Sequence, residues 1–108
     1  MEKRKAPRFP VQFILDFLGQ YSVGAGSVSN LSTTGCMVGS DLVVLAGWSL
    51  KLRLYLPDQD APLVVDQAVV QWSRGLAFGV KFLAMQLREQ ERLQRLVTSL
   101  EKGSPPEE

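Results

Sequence analysis

Along the first four fifths of the chain, apolar residues tend to recur at every second position, the period of a strand buried on one face. Val11, Phe13, Leu15 and Phe17 alternate with Gln12, Ile14, Asp16 and Leu18, which predicts a first strand with one strongly apolar side. Tyr21 to Ser29 is rich in glycine and serine, with Gly24 and Gly26 inviting a bend or a bulge. Asn30 to Gly35 is turn-like, and Cys36-Met37-Val38 after it reads as a short strand. The clearest alternation sets Leu50, Leu52, Leu54 and Leu56 against Ser49, Lys51, Arg53 and Tyr55, and the stretch Pro57 to Pro62 ends it. Leu63–Trp72 and Leu76–Phe82 complete the set, joined by Ser73-Arg74-Gly75 as a tight hairpin. Short strands punctuated every ~8–12 residues predict an all-β domain, an antiparallel barrel or sandwich of six strands.

The period then changes. Leu93, Leu96, Val97 and Leu100 follow the i, i+3, i+4, i+7 spacing of a helix face, with Arg92, Gln94, Arg95 and Glu101 on other faces. This predicts an amphipathic helix from about Leu87 to Lys102, helped by a Glu91–Arg95 pair one turn apart. Its apolar stripe is expected to pack on the strands. Gly103 supplies a C-terminal cap and Pro105 a stop, and residues 103–108 are expected to be a disordered tail.

Composition narrows the chemistry. The chain has 108 residues, 45% hydrophobic and 21% charged, an ordinary globular balance for one domain. It has no histidine and one cysteine, Cys36. An intrachain disulfide is therefore excluded, as are a zinc site of cysteine and histidine alone and any nucleophilic pair with a histidine base. Asp58 and Asp60 share one self-solvating turn, while Asp16, Asp41 and Asp66 have no spacing that implies a common site. Gly24-Ala25-Gly26 begins like a dinucleotide fingerprint but lacks its third glycine and a following helix, and there is no P-loop. Cys36 lies among apolar residues, as a packed small side chain does. No enzymatic activity, metal or cofactor is expected. No apolar run approaches the ~18 residues of a membrane span. Phe9–Leu18, opened by Pro10 and interrupted by Gln12 and Asp16, makes a poor signal-peptide core, so a cytoplasmic protein is expected.

Charge adds one feature. Lys3, Arg4, Lys5 and Arg8 against Glu2 give residues 1–8 a formal charge of +3, while residues 9–108 sum to −2. Residues 9–108 read as a mildly acidic body, its folded domain at 9–102, carrying a flexible, anion-seeking arm at 1–8.

Two short patterns stand at informative places. Arg4-Lys5-Ala6-Pro7-Arg8 precedes the first strand, and Asn30-Leu31-Ser32-Thr33-Thr34-Gly35 lies between the second and third. In this order they resemble the signature of the PilZ domain family, bacterial receptors for the second messenger cyclic di-GMP. The resemblance runs from about Arg4 to Leu100. It takes in Gly47 before the leucine-alternating strand, Pro57 after it, Val69-Val70-Gln71-Trp72, Gly79-Val80-Lys81-Phe82 and the final helix. It implies a six-stranded antiparallel β-barrel with a C-terminal α-helix, in agreement with the strand count. It also implies that Arg4 and Arg8 clamp phosphates and guanine edges, and that Asn30, Ser32 and Gly35 meet the guanine bases or adjacent groups. Asparagine replaces the family's commoner aspartate at position 30.

Elementary chemistry supports that transfer. Guanidinium binds phosphate and the guanine O6/N7 edge bidentately and stacks on purine faces. A hydrogen bond to a charged group contributes about 1.5–3 kcal/mol, a useful part of the ~8.2 kcal/mol behind micromolar affinity. Asn30 offers donor and acceptor, Ser32 a hydroxyl, and Gly35 close backbone approach or a positive φ. Pro7 stiffens the arm beside Arg8.

The expectation is a non-enzymatic sensor, monomeric or weakly dimeric. Ligand orders its arm and passes the signal to a downstream effector protein, in motility or biofilm control by family analogy. The alternative is a PilZ-like protein-interaction module with weak or no cyclic di-GMP binding. Nucleic acid is not an expected partner: the body is net acidic, and Phe9, Phe13, Phe17, Trp48, Trp72, Phe78 and Phe82 fall mostly at predicted core positions instead of on a basic groove.

Overall fold

In strand β1 (Phe9–Gly19) alternation places Phe13, Leu15 and Phe17 inside and leaves Ile14 and Leu18 in solvent. The computed structural model describes residues 7–57 and 59–102. Strands β2 (Val23–Leu31), β3 (Gly35–Gly39), β4 (Ser49–Tyr55), β5 (Leu63–Arg74) and β6 (Ala77–Ala84) follow, then helix α1 (Leu87–Glu101). All six pairings are antiparallel, in the order β1-β2-β3-β6-β5-β4, and β4 returns to β1. The sheet is thus a closed barrel, with no strand left as an unpaired edge. Of the two architectures open to the sequence, closure selects the barrel.

The four alternating leucines of β4 and the residue after it, Leu50 to Leu56, all face the interior. There they meet Val28, Val38, Val65 and Phe78, and the Phe17 and Phe78 rings pack edge to face at 5.6 Å. Burying a large apolar side chain stabilises by about 1.5–3 kcal/mol, so this interior sets the register of every strand.

The antiparallel order sorts the connections to two ends. One end gathers the entry to β1, the β2–β3 turn, the β4–β5 loop and the exit from β6; the other gathers the β1–β2 turn, the β3–β4 loop and the β5–β6 turn. Helix α1 packs beside β5 and β1, with Leu93 and Val97 buried in the common core. Arg92 fastens it to the β4–β5 loop: its guanidinium donates to the carbonyls of Pro62 (3.0 Å) and Ala61 (2.7 Å) and to Gln59 Oε1 (2.7 Å). Glu89 pairs with Arg92 at 3.0 Å and accepts the Val64 N–H at 2.9 Å.

Several boundaries differ from expectation. Asn30 and Leu31 belong to β2, so the turn before β3 contains only Ser32, Thr33 and Thr34. The hairpin after β5 turns at Gly75, whose φ of +59° suits glycine. Among the described residues the ion pair along the helix is Glu89–Arg92 in place of Glu91–Arg95: Glu89 also reaches Val64 of β5, and Arg92 the loop before it. The expected cap Gly103, the tail and the arm residues 1–6 lie outside the described residues.

Candidate functional site

The β2–β3 turn is built around one hydroxyl. Ser32 Oγ accepts the N–H of Thr34 (3.1 Å) and of Gly35 (3.2 Å) and lies 3.2 Å from the Thr34 hydroxyl. The Ser32 N–H donates to the Gly35 carbonyl at 3.0 Å, closing the turn. Ser32 is only 1% exposed, so its side chain serves the turn from inside. Gly35 sits where β3 presses on β6, opposite Lys81; a Cβ there would run into the Val80 carbonyl. Of the two reasons for glycine, close approach is the one that applies: the positive-φ glycines among the described residues are Gly47 and Gly75.

Asn30 is the outward-facing member of the motif. A register shift between Val28 and Asn30 in the β2–β3 ladder sets Asn30 opposite Met37, and on its other side it faces Pro10 of β1. Arg8, exposed just before β1, donates from a terminal guanidinium nitrogen to Asn30 Oδ1 at 3.0 Å. The amide nitrogen of Asn30 points to Met37 Sδ at 3.8 Å, a weak partner that leaves it donor capacity. The structure therefore brings Arg8 together with Asn30, with Ser32 in the adjoining turn and Gly35 at the start of β3; Arg4 lies outside the described residues.

The pairing extends this corner into a platform. Pro10, Asn30, Met37, Gly79 and Trp72 are successive partners across β1, β2, β3, β6 and β5. Trp72 lies over Gly79 so closely that a Cβ there would overlap the indole, 2.6 Å from its Cε2. The indole is 39% exposed. Sequence reading grouped Trp72 with the core aromatics; a register shift between Val70 and Trp72 turns it outward instead. The readable signal was Gly79, a residue without a side chain among bulky neighbours, which marks the place where another group lies flat on the backbone. Cys36, next to Met37 and paired with Leu31 and Val80, is buried, and desolvation pushes its thiol to about 12 against a smaller opposing pull from the Arg8 charge. It is a packing group and no nucleophile.

Arg8, Asn30 and Trp72 thus line one side of the barrel wall with guanidinium, amide and indole. The model of the PilZ domain matches residues 2–99. The chain belongs to the PilZ domain family. A search of curated proteins returns no match to the sequence. Among solved structures, this PilZ barrel is similar to the Bacillus subtilis inhibitor of motility MotI/DgrA, with TM-score 0.76 and 18% identity over 97% of this chain and 55% of that one. It is similar to the PilZ domain of CeSA from a cellulose-synthesizing bacterium, with TM-score 0.70 and 17% identity over 88% and 98% of the two chains. It also resembles MrkH, described as a c-di-GMP-dependent transcription regulatory factor, with TM-score 0.75 and 15% identity over 94% and 52%. At these identities the likeness is one of fold, and the chain spans about half the length of MotI/DgrA and of MrkH.

Proposed function

We propose that this PilZ domain is a non-enzymatic receptor for cyclic di-GMP, bound on the wall between Arg8 and Trp72. The observation that carries the reading is the 3.0 Å bond from Arg8 to Asn30, which joins the two halves of the family signature across 22 residues of sequence. The guanidinium has five N–H donors and spends one on Asn30, so the others are available to a phosphate or a guanine edge. Asn30 offers its amide N–H groups to a base, and Trp72 offers a flat ring on which a guanine can stack. Ser32 and Gly35 act by shaping the turn that carries the site. Arg4 adds a second guanidinium from the arm, ligand orders that arm against the barrel, and the ordered surface is read by an effector protein.

Calorimetric titration with cyclic di-GMP tests this. Arg8→Ala is expected to weaken binding about 10- to 100-fold, equivalent to ~1.4–2.8 kcal/mol, with the melting temperature of the free protein unchanged because Arg8 is exposed. Trp72→Ala is expected to weaken binding by a similar factor. Absence of heat with the wild-type chain would overturn the receptor reading in favour of an interaction module. A melting temperature that falls with Arg8→Ala would make the arginine structural.

A further inference from the structure

The end of the barrel remote from Arg8 and Asn30 is apolar where a loop cluster is ordinarily polar. Tyr21 of the β1–β2 turn, Val23 at the start of β2, Leu42, Val43 and Leu45 of the β3–β4 loop and Leu76 of the β5–β6 turn all lie there. Their exposure runs from 39% at Leu42 to 74% at Val43. At these exposures the six residues leave several hundred Å² open to solvent, on the scale of the ~300–600 Å² of the largest apolar patch on a typical monomer.

These loops are held in place. Val44, between the exposed Val43 and Leu45, is fully buried and pins the middle of its loop to the core. The Ser40 N–H donates to the Leu76 carbonyl at 2.9 Å, and the Ser40 hydroxyl donates to the Ala25 carbonyl at 3.0 Å. Leu42 lies on Gly24, where an added Cβ would strike it. The Gly47 N–H donates to Val70 at 2.7 Å, and the Tyr21 and Trp48 rings sit 5.2 Å apart. The apolar side chains are thus displayed by a fixed scaffold, so little ordering entropy opposes their burial by a partner.

We propose that this end is the interface of a homodimer, two copies of the chain meeting end to end about a two-fold axis. Three observations select a second copy. With its polar rim, a face of this size is on the scale of the ~800 Å² that each partner gives to a standard interface. The centre of the patch is apolar and its polar residues lie among or around the apolar ones, so it can meet its own image, as an isologous contact requires. Asp41 is the one charged residue in the three connecting loops, and Arg74 closes β5 beside the same patch. A two-fold axis can set Asp41 of each copy toward Arg74 of the other. Such loops lack the clustered cations of a surface made for anionic lipid or nucleic acid. The contact uses none of Arg8, Asn30 and Trp72, so the dimer does not depend on the receptor reading.

Sedimentation of the full chain across the micromolar range, without ligand, tests the proposal. The expected result is a species of twice the 12.0 kDa chain mass at the upper concentrations. Val43→Glu and Leu76→Glu are each expected to raise the dimer dissociation constant at least about tenfold, with an unchanged circular dichroism spectrum since both side chains are exposed. Ile14→Glu, on the exposed side wall, is expected to leave the dimer intact. Asp41→Arg weakens it, and Asp41→Arg with Arg74→Asp restores it. A wild-type chain that remains at 12.0 kDa throughout overturns the proposal, as does a dimer indifferent to both glutamate variants.

Discussion

The buried hydroxyl of Ser32 accepts the backbone N–H groups of Gly35, which is buried, and of Thr34, which is exposed. Removing it strands the buried Gly35 N–H, which costs about 1–3 kcal/mol, while the exposed Thr34 can turn to water. Ser32→Ala is therefore expected to lower unfolding stability by roughly 1–3 kcal/mol in urea titration, and ligand affinity with it, whereas Arg8→Ala lowers affinity alone. Ser32→Thr, which keeps the hydroxyl, separates loss of the acceptor from a change of size. At this scale the motif was legible as a set of residue types, but the division of labour within it was not. Asn30 and Ser32 are both polar and two positions apart; only the bulge before Asn30 and the inward turn after it give one to solvent and the other to the interior.

Between strands, the outer face of β1 and β4 carries a three-residue cluster. Arg53 donates from Nε and a terminal nitrogen to the two Asp16 oxygens (2.9 and 3.0 Å), and the Tyr55 hydroxyl donates to Asp16 at 2.6 Å. The Arg53 hydrogen bond holds the Asp16 carboxyl below its ordinary 3.8 against the opposing cost of desolvation, with a lesser contribution from Tyr55. The folded form thus favours the carboxylate. Its contribution to stability is present above pH 3.8 and is lost as pH falls through the lowered folded value. Tyr55 moves the other way, raised from 10.0 chiefly by its bond to Asp16, so its contribution holds below pH 10.0 and fades as pH climbs through the raised value. Carboxyl-carbon NMR is expected to place the Asp16 midpoint below 3.8, and Arg53→Met is expected to move it back up. A midpoint indifferent to that substitution would remove Arg53 as the cause. Strand existence and phase at this scale were open to the sequence: the odd-numbered residues of β1 and the even-numbered leucines of β4 face inward as their alternation implies. Which strands become neighbours was not, since Asp16 and Arg53 meet across 37 residues.

For the whole molecule, barrel closure and the docked helix leave Cys36 at 0% exposure with its thiol pushed to about 12. Reaction with a thiol reagent requires both exposure and the thiolate, so labelling reports opening of the core. The labelling rate of the native chain is expected to follow global unfolding, rising with urea with the denaturant dependence of full unfolding. Fast labelling without denaturant would mean that β3 opens locally beside the ligand wall.

Composition and spacing by themselves determined the kind of domain. Period-two leucines and valines cannot be buried except as strands with one face inward, period 3.6 makes the last segment a helix, and a chain without histidine forgoes much catalysis. The ordered pair of motifs carried the family. Tertiary structure decided what one residue's neighbours in sequence do not encode: Trp72 outside the barrel on Gly79, Arg8 against Asn30, and six apolar side chains brought to one end by three separate connections. The physical reason is the same each time. Periodicity reports the average environment of a strand face, whereas a bulge shifts the phase by one residue and barrel closure chooses which distant strands share a wall.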